Sequence, residues 1–260
     1  MYLLFDIGGT KIRLTTSDGK TINSPQVSPT PINYQDGLKI FRNFIKDKKV
    51  TAVSGGIPGP LDHQKTKLED SPQLPNWINK PLKIDLSKII KAPVFLENDA
   101  ALAGLGEAIR GGGKGYSVVA YLTVSTGVGG AKIVDGRIDK NVHGFEPGQM
   151  MVKDGKLGQF VSGMALEKKY KMKPEQIKDP KIWGKVAKVL AEGINNLILD
   201  WSPNVVVLGG SIMKSIDIKK VEKYLRSDLT IYKDIPSLKL ASLENLSGLY
   251  GALEYLKQML

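Results

Sequence analysis

The segment Asp6–Lys11 brings together the groups that bind a phosphate. Its two adjacent glycines let backbone N–H groups approach an anion closely, while Thr10 and Lys11 add a hydroxyl and an ammonium donor. Asp6 ends an apolar run, where a carboxylate is placed to hold Mg²⁺ through water. A plain hairpin turn needs only the glycines, so the added carboxylate, hydroxyl and amine favour a phosphate cradle. The segment matches neither the P-loop nor the dinucleotide-binding pattern.

A second turn of the same kind lies at Thr123–Gly130, where hydroxyl side chains precede glycines between two apolar runs. The pair of turns suggests a nucleotide whose phosphates are bound by two domains. Gly209 and Gly210 follow the apolar run Val205–Leu208, so an unobstructed backbone is available there for an adenine or ribose. Taken alone, Gly-Gly after a strand is more often a simple turn.

Asp99 stands between a predicted strand, Val94–Leu96, and a predicted Ala-rich helix, Ala100–Ile109. Its carboxylate has two interpretations. It caps the helix, or it faces the crevice beyond the carboxyl ends of the strands, where α/β proteins bind ligands. Phosphoryl transfer to a hydroxyl needs a base at such a place.

The elements that position these residues alternate between strands and helices, which indicates α/β architecture. A strand, turn and strand occupy Tyr2–Thr16, and helical spacing predicts a helix over Asp36–Lys48 with Asp36 as its cap. The stretch Gly55–Trp77 is dense in Pro and Gly and predicts a long ordered loop. Further helices are predicted over Ile182–Leu199 and Gly248–Met259.

A change of composition at Gly111–Gly115 predicts a boundary between two halves that each contain a strand-turn-strand unit. We expect an N-terminal α/β domain over residues 1–112, completed by a C-terminal helix at 246–260. The second α/β domain is expected over residues 113–245, with the active-site cleft between the two.

Composition excludes several classes of site. The chain has no Cys and two His, which excludes disulfides, thiolate catalysis and Cys-ligated metals. The formal charge is +11, but only five of the 37 basic residues are Arg and the lysines are dispersed, so a solvated surface is favoured over nucleic-acid binding. No secretory segment and no apolar run of about 18 residues occurs, so we expect a cytoplasmic protein with no membrane partner.

Eleven segments resemble, in order and spacing, the ROK family (repressor, open reading frame, kinase) of sugar kinases. They are Asp6–Lys11, Gly55–Asp62, Leu74–Leu82, Glu97–Ala101, Gly104–Ala108, Gly113–Gly115, Thr123–Gly130, Asp135–Ile138, Gly144–Gly148, Ser162–Gly163 and Val205–Gly210. The resemblance implies an actin-like, ribonuclease-H-like two-domain sugar kinase fold of the ASKHA superfamily. It also implies an ATP-dependent hexose kinase of the hexokinase or glucokinase type, with a place in glycolysis and O6 of glucose or a related hexose as acceptor.

The resemblance also implies a role for each matching residue. Asp99 is the general base, and Asp6 holds Mg²⁺ through water. The sugar is bound by Asn98, Glu146 and Gln149 and by the loop residues Gly56, Pro58 and Gly59. ATP is bound by Gly9, Thr10, Lys11, Thr126, Gly127, Gly209 and Gly210.

Two positions depart from the family pattern. Gln149 replaces a His that binds sugar and a structural zinc in many members, and the chain has no Cys, so we expect no structural zinc. Gly158 occupies the place of a second sugar-binding Glu, about four residues before Ser162. Either another side chain substitutes or the pocket near sugar C1 and C2 is roomier, which predicts tolerance of 2-amino and N-acetyl sugars.

Three further polar residues, His63, His143 and Asp62, are not assigned to the site. His63 and His143 are each taken as structural or solvated, because a single His near a turn is more often so. Asp62, after a Gly-Pro-Leu sequence, is interpreted first as a turn-former and second as a residue that orients the site.

Other functions remain open at this level. A sugar-sensing regulator of the same family carries a DNA-binding domain ahead of the first hairpin, whereas here the hairpin begins at Tyr2. A ribonuclease-H-like nuclease needs several converging carboxylates, and Asp6 has no obvious companions in the sequence. The resemblance suggests a homodimer.

Overall fold

The computed structural model describes residues 1–260, which form two compact units. Unit 1 comprises residues 1–110, 140–144 and 245–260, and unit 2 comprises residues 111–139 and 145–244. Residues 140–144 were expected in the second domain, whereas their contacts group them with unit 1.

Unit 1 is built on a five-stranded mixed sheet covered by helices. Its strands are β1 (Tyr2–Ile7), β2 (Lys11–Ser17), β3 (Gln26–Pro29), β4 (Ala52–Ile57) and β5 (Val94–Asn98), and its helices are α1 (Tyr34–Ile45), α2 (Leu82–Ile90), α3 (Asp99–Arg110) and α8 (Ser247–Met259). The strand order is β3-β2-β1-β4-β5. Strands β1 and β2 are antiparallel, whereas β1, β4 and β5 run parallel to one another.

Unit 2 contains a second five-stranded sheet and a separate two-stranded ribbon. Its strands are β6 (Val118–Val124), β7 (Val128–Val134), β8 (Arg137–Ile138), β9 (Met151–Val152), β10 (Gly155–Lys156), β11 (Val205–Gly209) and β12 (Ser237–Leu240), and its helices are α4 (Gly158–Val161), α5 (Gly163–Tyr170), α6 (Pro180–Trp201) and α7 (Ile218–Asp228). The sheet order is β12-β11-β6-β7-β8, and β9 pairs with β10.

The two sheets have the same connectivity. In each, an antiparallel hairpin (β1 and β2, or β6 and β7) carries a third antiparallel strand on one side, β3 or β8. Two parallel strands extend the first hairpin strand on the other side, β4 and β5 or β11 and β12. The α/β class and the repeated strand-turn-strand unit are therefore confirmed.

The core of unit 1 packs α1 and Trp77 against the sheet. The Phe5 and Phe41 rings meet edge to face at 5.2 Å, and Trp77, 1% exposed, packs in the same way on Tyr34 at 5.3 Å. Helix α1 begins at Tyr34 because Asn33 accepts a hydrogen bond from the Gln35 N–H. The predicted start at an Asp36 cap was therefore wrong.

Helix α8 joins unit 1 by packing closely on α3. A Cβ at Gly251 would lie 1.7 Å from the Leu102 carbonyl oxygen, so only glycine permits this approach. At the start of α8, Ser247 donates a hydrogen bond of 2.7 Å to the fully buried Glu107. The C-terminal helix is thus an integral part of unit 1.

The core of unit 2 lies between its sheet and the long helix α6. Leu190 and Ile194 of α6 are fully buried with Leu122 and Val206 of the sheet. No helix in the chain has both the length and the apolar character needed to cross a membrane.

Candidate functional site

The turn between β1 and β2 presents hydrogen-bond donors outward. The Gly8 N–H bonds to the Lys11 carbonyl at 2.9 Å, and Thr30 donates to the carbonyls of Gly8 and Thr10 from the neighbouring strand end. Gly9, Thr10 and Lys11 are exposed. Because Thr30 occupies the two carbonyl acceptors, the turn offers N–H, hydroxyl and ammonium groups to an anion.

Asp6 lies one strand position inside this turn and is paired with a cation. Its Oδ2 accepts a hydrogen bond of 3.0 Å from Arg13, its cross-strand partner in β2. Burial raises the pKa of Asp6, against the opposing effect of Arg13. The carboxylate remains 18% exposed, which fits a magnesium ion held through water rather than a closed carboxylate cage.

The turn between β6 and β7 in unit 2 is fixed by the start of α5. Ser162 caps α5 by accepting from the Ala165 N–H at 3.2 Å, and the Gly163 N–H donates to the Ser125 carbonyl at 2.7 Å. A Cβ at Gly163 would lie 3.0 Å from that carbonyl oxygen. The Ser-Gly pair therefore holds the turn that contains Thr126 and Gly127.

The structure brings Gly209 and Gly210 to the same turn. The Ser125 and Ser211 hydroxyls lie 3.2 Å apart, which joins the two segments. Gly210 adopts a left-handed conformation with φ of 95°, and a Cβ there would lie 2.2 Å from the Val124 carbonyl oxygen. The predicted nucleotide residues of unit 2 thus form one contiguous group.

Asn98 and Asp99 occupy the junction of β5 and α3. The Asn98 Oδ1 accepts from the Ala101 N–H at 3.0 Å, so Asn98 provides the helix cap. Its Nδ2 donates to the Gly59 carbonyl at 3.1 Å. Asp99, whose Oδ1 accepts from the Ala100 N–H, is the first residue of α3.

Glycine lets the loop of Gly56, Pro58 and Gly59 approach Asp99. A Cβ at Gly56 would lie 2.8 Å from the Asp99 Cα, and Gly59 has a φ of 121° with no room for a Cβ beside the Asp70 carbonyl. Pro58 between them is buried. The structure therefore brings Gly56, Pro58, Gly59 and Asn98 together around the start of α3.

Glu146 and Gln149 belong to unit 2, on a short helical turn that ends at Gln149. The Gln149 N–H bonds to the Glu146 carbonyl at 2.9 Å, and the Gln149 Oε1 accepts from Lys156 at 2.7 Å. A Cβ at Gly158 would lie 3.1 Å from the Gly148 carbonyl oxygen. The position that lacks the family's Glu is therefore packed closely against the Gln149 turn.

Asp62, His63 and His143, which were not assigned to the predicted site, lie on a turn or at the surface. Asp62 accepts hydrogen bonds from the backbone and hydroxyl of Thr66 and from the Lys67 N–H, which confirms the turn interpretation. These bonds lower the pKa of Asp62 although burial acts to raise it. His63 and His143 are exposed, and their rings lie 5.3 Å apart within unit 1.

One ion pair that involves a buried carboxylate was not predicted. Glu97, 6% exposed, pairs with Lys65 and accepts from the Asn98 N–H at 2.9 Å. No group of three or more His, Cys, Asp or Glu side chains is arranged to hold a metal ion.

The model of the ROK family matches residues 2–259. The chain belongs to the ROK family. This ROK protein is 30% identical to an uncharacterized protein of Clostridium perfringens, over 97% of this chain and 96% of that one. It superimposes on a ROK hexokinase from Thermus thermophilus with a TM-score of 0.87 and 29% identity, over 99% of each chain.

A ROK glucokinase from Streptomyces griseus, solved with glucose and AMPPNP, matches 99% of each chain with a TM-score of 0.84 and 23% identity. The predicted actin-like two-domain fold is thereby confirmed, and so is the assignment of this ROK protein to the ATP-dependent sugar kinases.

Proposed function

We propose that this ROK protein phosphorylates a hexose, with O6 of glucose or a related sugar as the acceptor and Asp99 as the general base. The junction of β5 and α3 carries the proposal. Asn98 caps the helix through the Ala101 N–H, so the cap does not depend on the Asp99 side chain alone, which accepts from the adjacent Ala100 N–H there. A carboxylate at the carboxyl end of a parallel strand, beside a glycine loop, is placed as a base for a bound hydroxyl. The hexokinase and glucokinase relatives support this choice of substrate.

In the proposed reaction, Asp99 accepts the proton of the sugar hydroxyl as its oxygen attacks the γ-phosphorus of ATP. The bond from that phosphorus to the oxygen bridging to the β-phosphate breaks, and ADP leaves with the electron pair. The protein makes no covalent intermediate. Its contribution is positioning, charge stabilisation and proton acceptance.

Binding of the sugar is assigned to two groups. Asn98 and the loop of Gly56, Pro58 and Gly59 bind it from unit 1. Glu146 and Gln149 bind it from unit 2, where a carboxylate and an amide suit the hydroxyls of a hexose.

Binding of ATP is assigned to the two donor-rich turns. Gly9, Thr10 and Lys11 contact phosphate from unit 1, and Thr126 and Gly127 do so from unit 2. Gly209 and Gly210 contact the adenosine. Asp6 would hold, through water, a magnesium ion, which would neutralise phosphate charge.

Several expectations remain part of the proposal. They are the domain division at residues 112 and 113 with 246–260 added to the first domain, a homodimer, a cytoplasmic protein in glycolysis, no nucleic-acid partner and no structural zinc. Light scattering coupled to gel filtration measures the oligomeric state, and metal analysis of purified protein measures zinc.

The experiment is ADP release from Mg-ATP with glucose, mannose, fructose, glucosamine, N-acetylglucosamine and N-acetylmannosamine. Asp99→Asn should lower kcat by about 10²- to 10⁴-fold, the range of a lost general base. Its thermal unfolding should match wild type because the Asn98 cap is intact. Sugar binding by calorimetry should also persist. Retained turnover in Asp99→Asn would remove Asp99 from the role of base.

The same panel tests the pocket that Gly158 leaves without a carboxylate. We expect kcat/KM for the 2-amino or N-acetyl sugars to lie within about 100-fold of glucose, the scale of ordinary pocket discrimination. Poorer turnover of both classes would show that another side chain restores selectivity at C2. If no sugar in the panel causes ADP release but calorimetry detects sugar binding, a sensor or other sugar-binding role is favoured.

A further inference from the structure

The loop that carries Gly59 continues into a tight turn that contains Lys65. Asp62 organises its tight turn through the Thr66 and Lys67 N–H groups, and Leu61 pairs with Leu68 across it. Lys65 adopts a left-handed backbone conformation with φ of 49°. This conformation is unfavourable for a side-chain-bearing residue, so contacts elsewhere must stabilise it.

Those contacts are made by the Lys65 ammonium, whose side chain is 40% exposed and reaches a buried carboxylate. It pairs with the Glu97 Oε2 and lies 5.7 Å from the centre of the Tyr255 ring, on α8. The Tyr255 hydroxyl interacts electrostatically with both Lys65 and Glu97. Glu97 raises the pKa of Lys65, against the effect of burial, and burial raises the pKa of Tyr255. Lys65 is thus the counter-charge of a buried carboxylate.

The other oxygen of Glu97 reaches the proposed active site. Its Oε1 accepts the N–H of Asn98, which in turn holds the Gly59 carbonyl and caps α3. The loop is therefore attached to the end of β5 at two points, through Asn98 to Gly59 and through Lys65 to Glu97.

We propose that Lys65, Glu97 and Tyr255 form an anchor. The anchor positions the loop that carries Gly59 and the Asn98–Asp99 junction without touching the substrate. The kinetic part of this inference rests on the proposed hexose kinase function. The anchor fixes the positions of Gly59 and Asn98 relative to Asp99, so its loss should weaken sugar binding. The phosphate turns at Lys11 and Thr126 lie outside it.

The test compares Lys65→Met with Lys80→Met, which removes a lysine from an exposed position just after Trp77. Lys65→Met should raise the KM for sugar by about 10- to 100-fold, as small misplacements near a reacting group do, with the KM for ATP unchanged. Lys80→Met should leave both unchanged. Lys65→Arg should recover part of the sugar affinity, since it keeps the charge.

A double variant separates positioning from stability. Lys65→Met leaves the Glu97 carboxylate buried without its partner and should lower Tm. Adding Glu97→Gln removes that charge and should recover Tm, while the KM for sugar stays raised because the loop is still detached. Recovery of both quantities together would overturn the positioning role.

Hydrogen exchange makes the test independent of catalysis. Amides of residues 61–68 should exchange faster in Lys65→Met than in wild type and Lys80→Met. If wild type phosphorylates no sugar, the proposed function fails while exchange still decides the anchor. Equal exchange and equal sugar KM in Lys65→Met and Lys80→Met would overturn the anchor itself.

Discussion

At the scale of single residues, the buried Asp6 carboxylate, a proposed site residue, lowers the stability of the protein when it is ionised. Burial raises its pKa even though Arg13 donates to its carboxylate. A carboxyl group whose pKa is raised on folding contributes its full stability below the unfolded pKa, near about 3.9. That contribution is lost as pH rises through the folded pKa, so ionised Asp6 destabilises the protein at neutral pH.

Asp6→Asn should therefore raise Tm at pH 7, or leave it unchanged, and the difference from wild type should shrink towards pH 4. Its kcat should fall, because the proposed magnesium contact is weakened. Thermal unfolding at the two pH values and ADP release measure these effects. A marked loss of Tm at pH 7 would mean that the Arg13 pair is primarily structural.

Asp18→Asn is a control, because folding lowers the pKa of Asp18 whereas it raises the pKa of Asp6. Hydrogen bonds from the backbone N–H groups of Thr21 and Lys20 lower the pKa of Asp18. Its stability is present above the unfolded pKa and is lost as pH falls through the folded one. Asp18→Asn should therefore lower Tm at pH 7 and have little effect near pH 3.

At the scale of elements, close helix contact depends on two glycines. Gly251 of α8 contacts the backbone of Leu102. A Cβ added at Gly106 of α3 would lie only 2.3 Å from the Ser247 carbonyl oxygen. Helix α8 can reach its place only while these positions lack side chains.

Gly251→Ala should destabilise the protein by about 3 kcal/mol or more, the upper range for overpacking. Gly184→Ala is the matched control, because Gly184 lies within α6 with nothing within 4 Å of the added Cβ. It should stabilise the protein by about 0.5 to 1 kcal/mol. Urea unfolding measures both, and equal effects of the two substitutions would contradict the packing argument.

Elements were predictable where local pattern and burial agree. The β1–β2 hairpin and α6 follow directly from alternation and helical spacing. Strand β4 runs through Gly55 and Gly56, which were expected in a loop, because pairing on both sides and the Phe5 ring over Gly55 favour the extended backbone there. Tertiary contact here outweighs the weak strand propensity of glycine.

The site was predictable as far as its local motifs reach. The turns around Gly9 and Gly127 and the Asn98–Asp99 junction are each contained in a few consecutive residues. The anchor joins Lys65 to Glu97 and then to α8, a contact between distant positions that no local pattern reports. In the sequence, Glu97 stands directly after the predicted strand Val94–Leu96, and nothing local indicates its partner.

At the scale of the whole molecule, the excess of basic residues gives a charge of +11. Such a charge attracts an anionic nucleotide and has no effect on a neutral sugar. Screening shortens the reach of the field from about 30 Å at 0.01 M salt to about 10 Å at 0.1 M.

We therefore expect kcat/KM for ATP to fall by about two- to fivefold over that range of salt, as steered association does. The value for glucose at saturating ATP should stay constant, which makes the sugar an internal control. Equal salt dependence for both substrates would point to a general effect of salt on the enzyme.

Unit 1 closes with residues from the far end of the chain, since α8 packs on α3 and Ser247 bonds to the buried Glu107. Unit 2 lies almost entirely in one continuous stretch, residues 111–244 apart from 140–144. During synthesis on the ribosome, the core of unit 1 is complete only after residues 245–260 have been made. All strands of unit 2 have been made before that point. We therefore expect unit 2 to complete its core before unit 1, although unit 1 contains the first residues to be made.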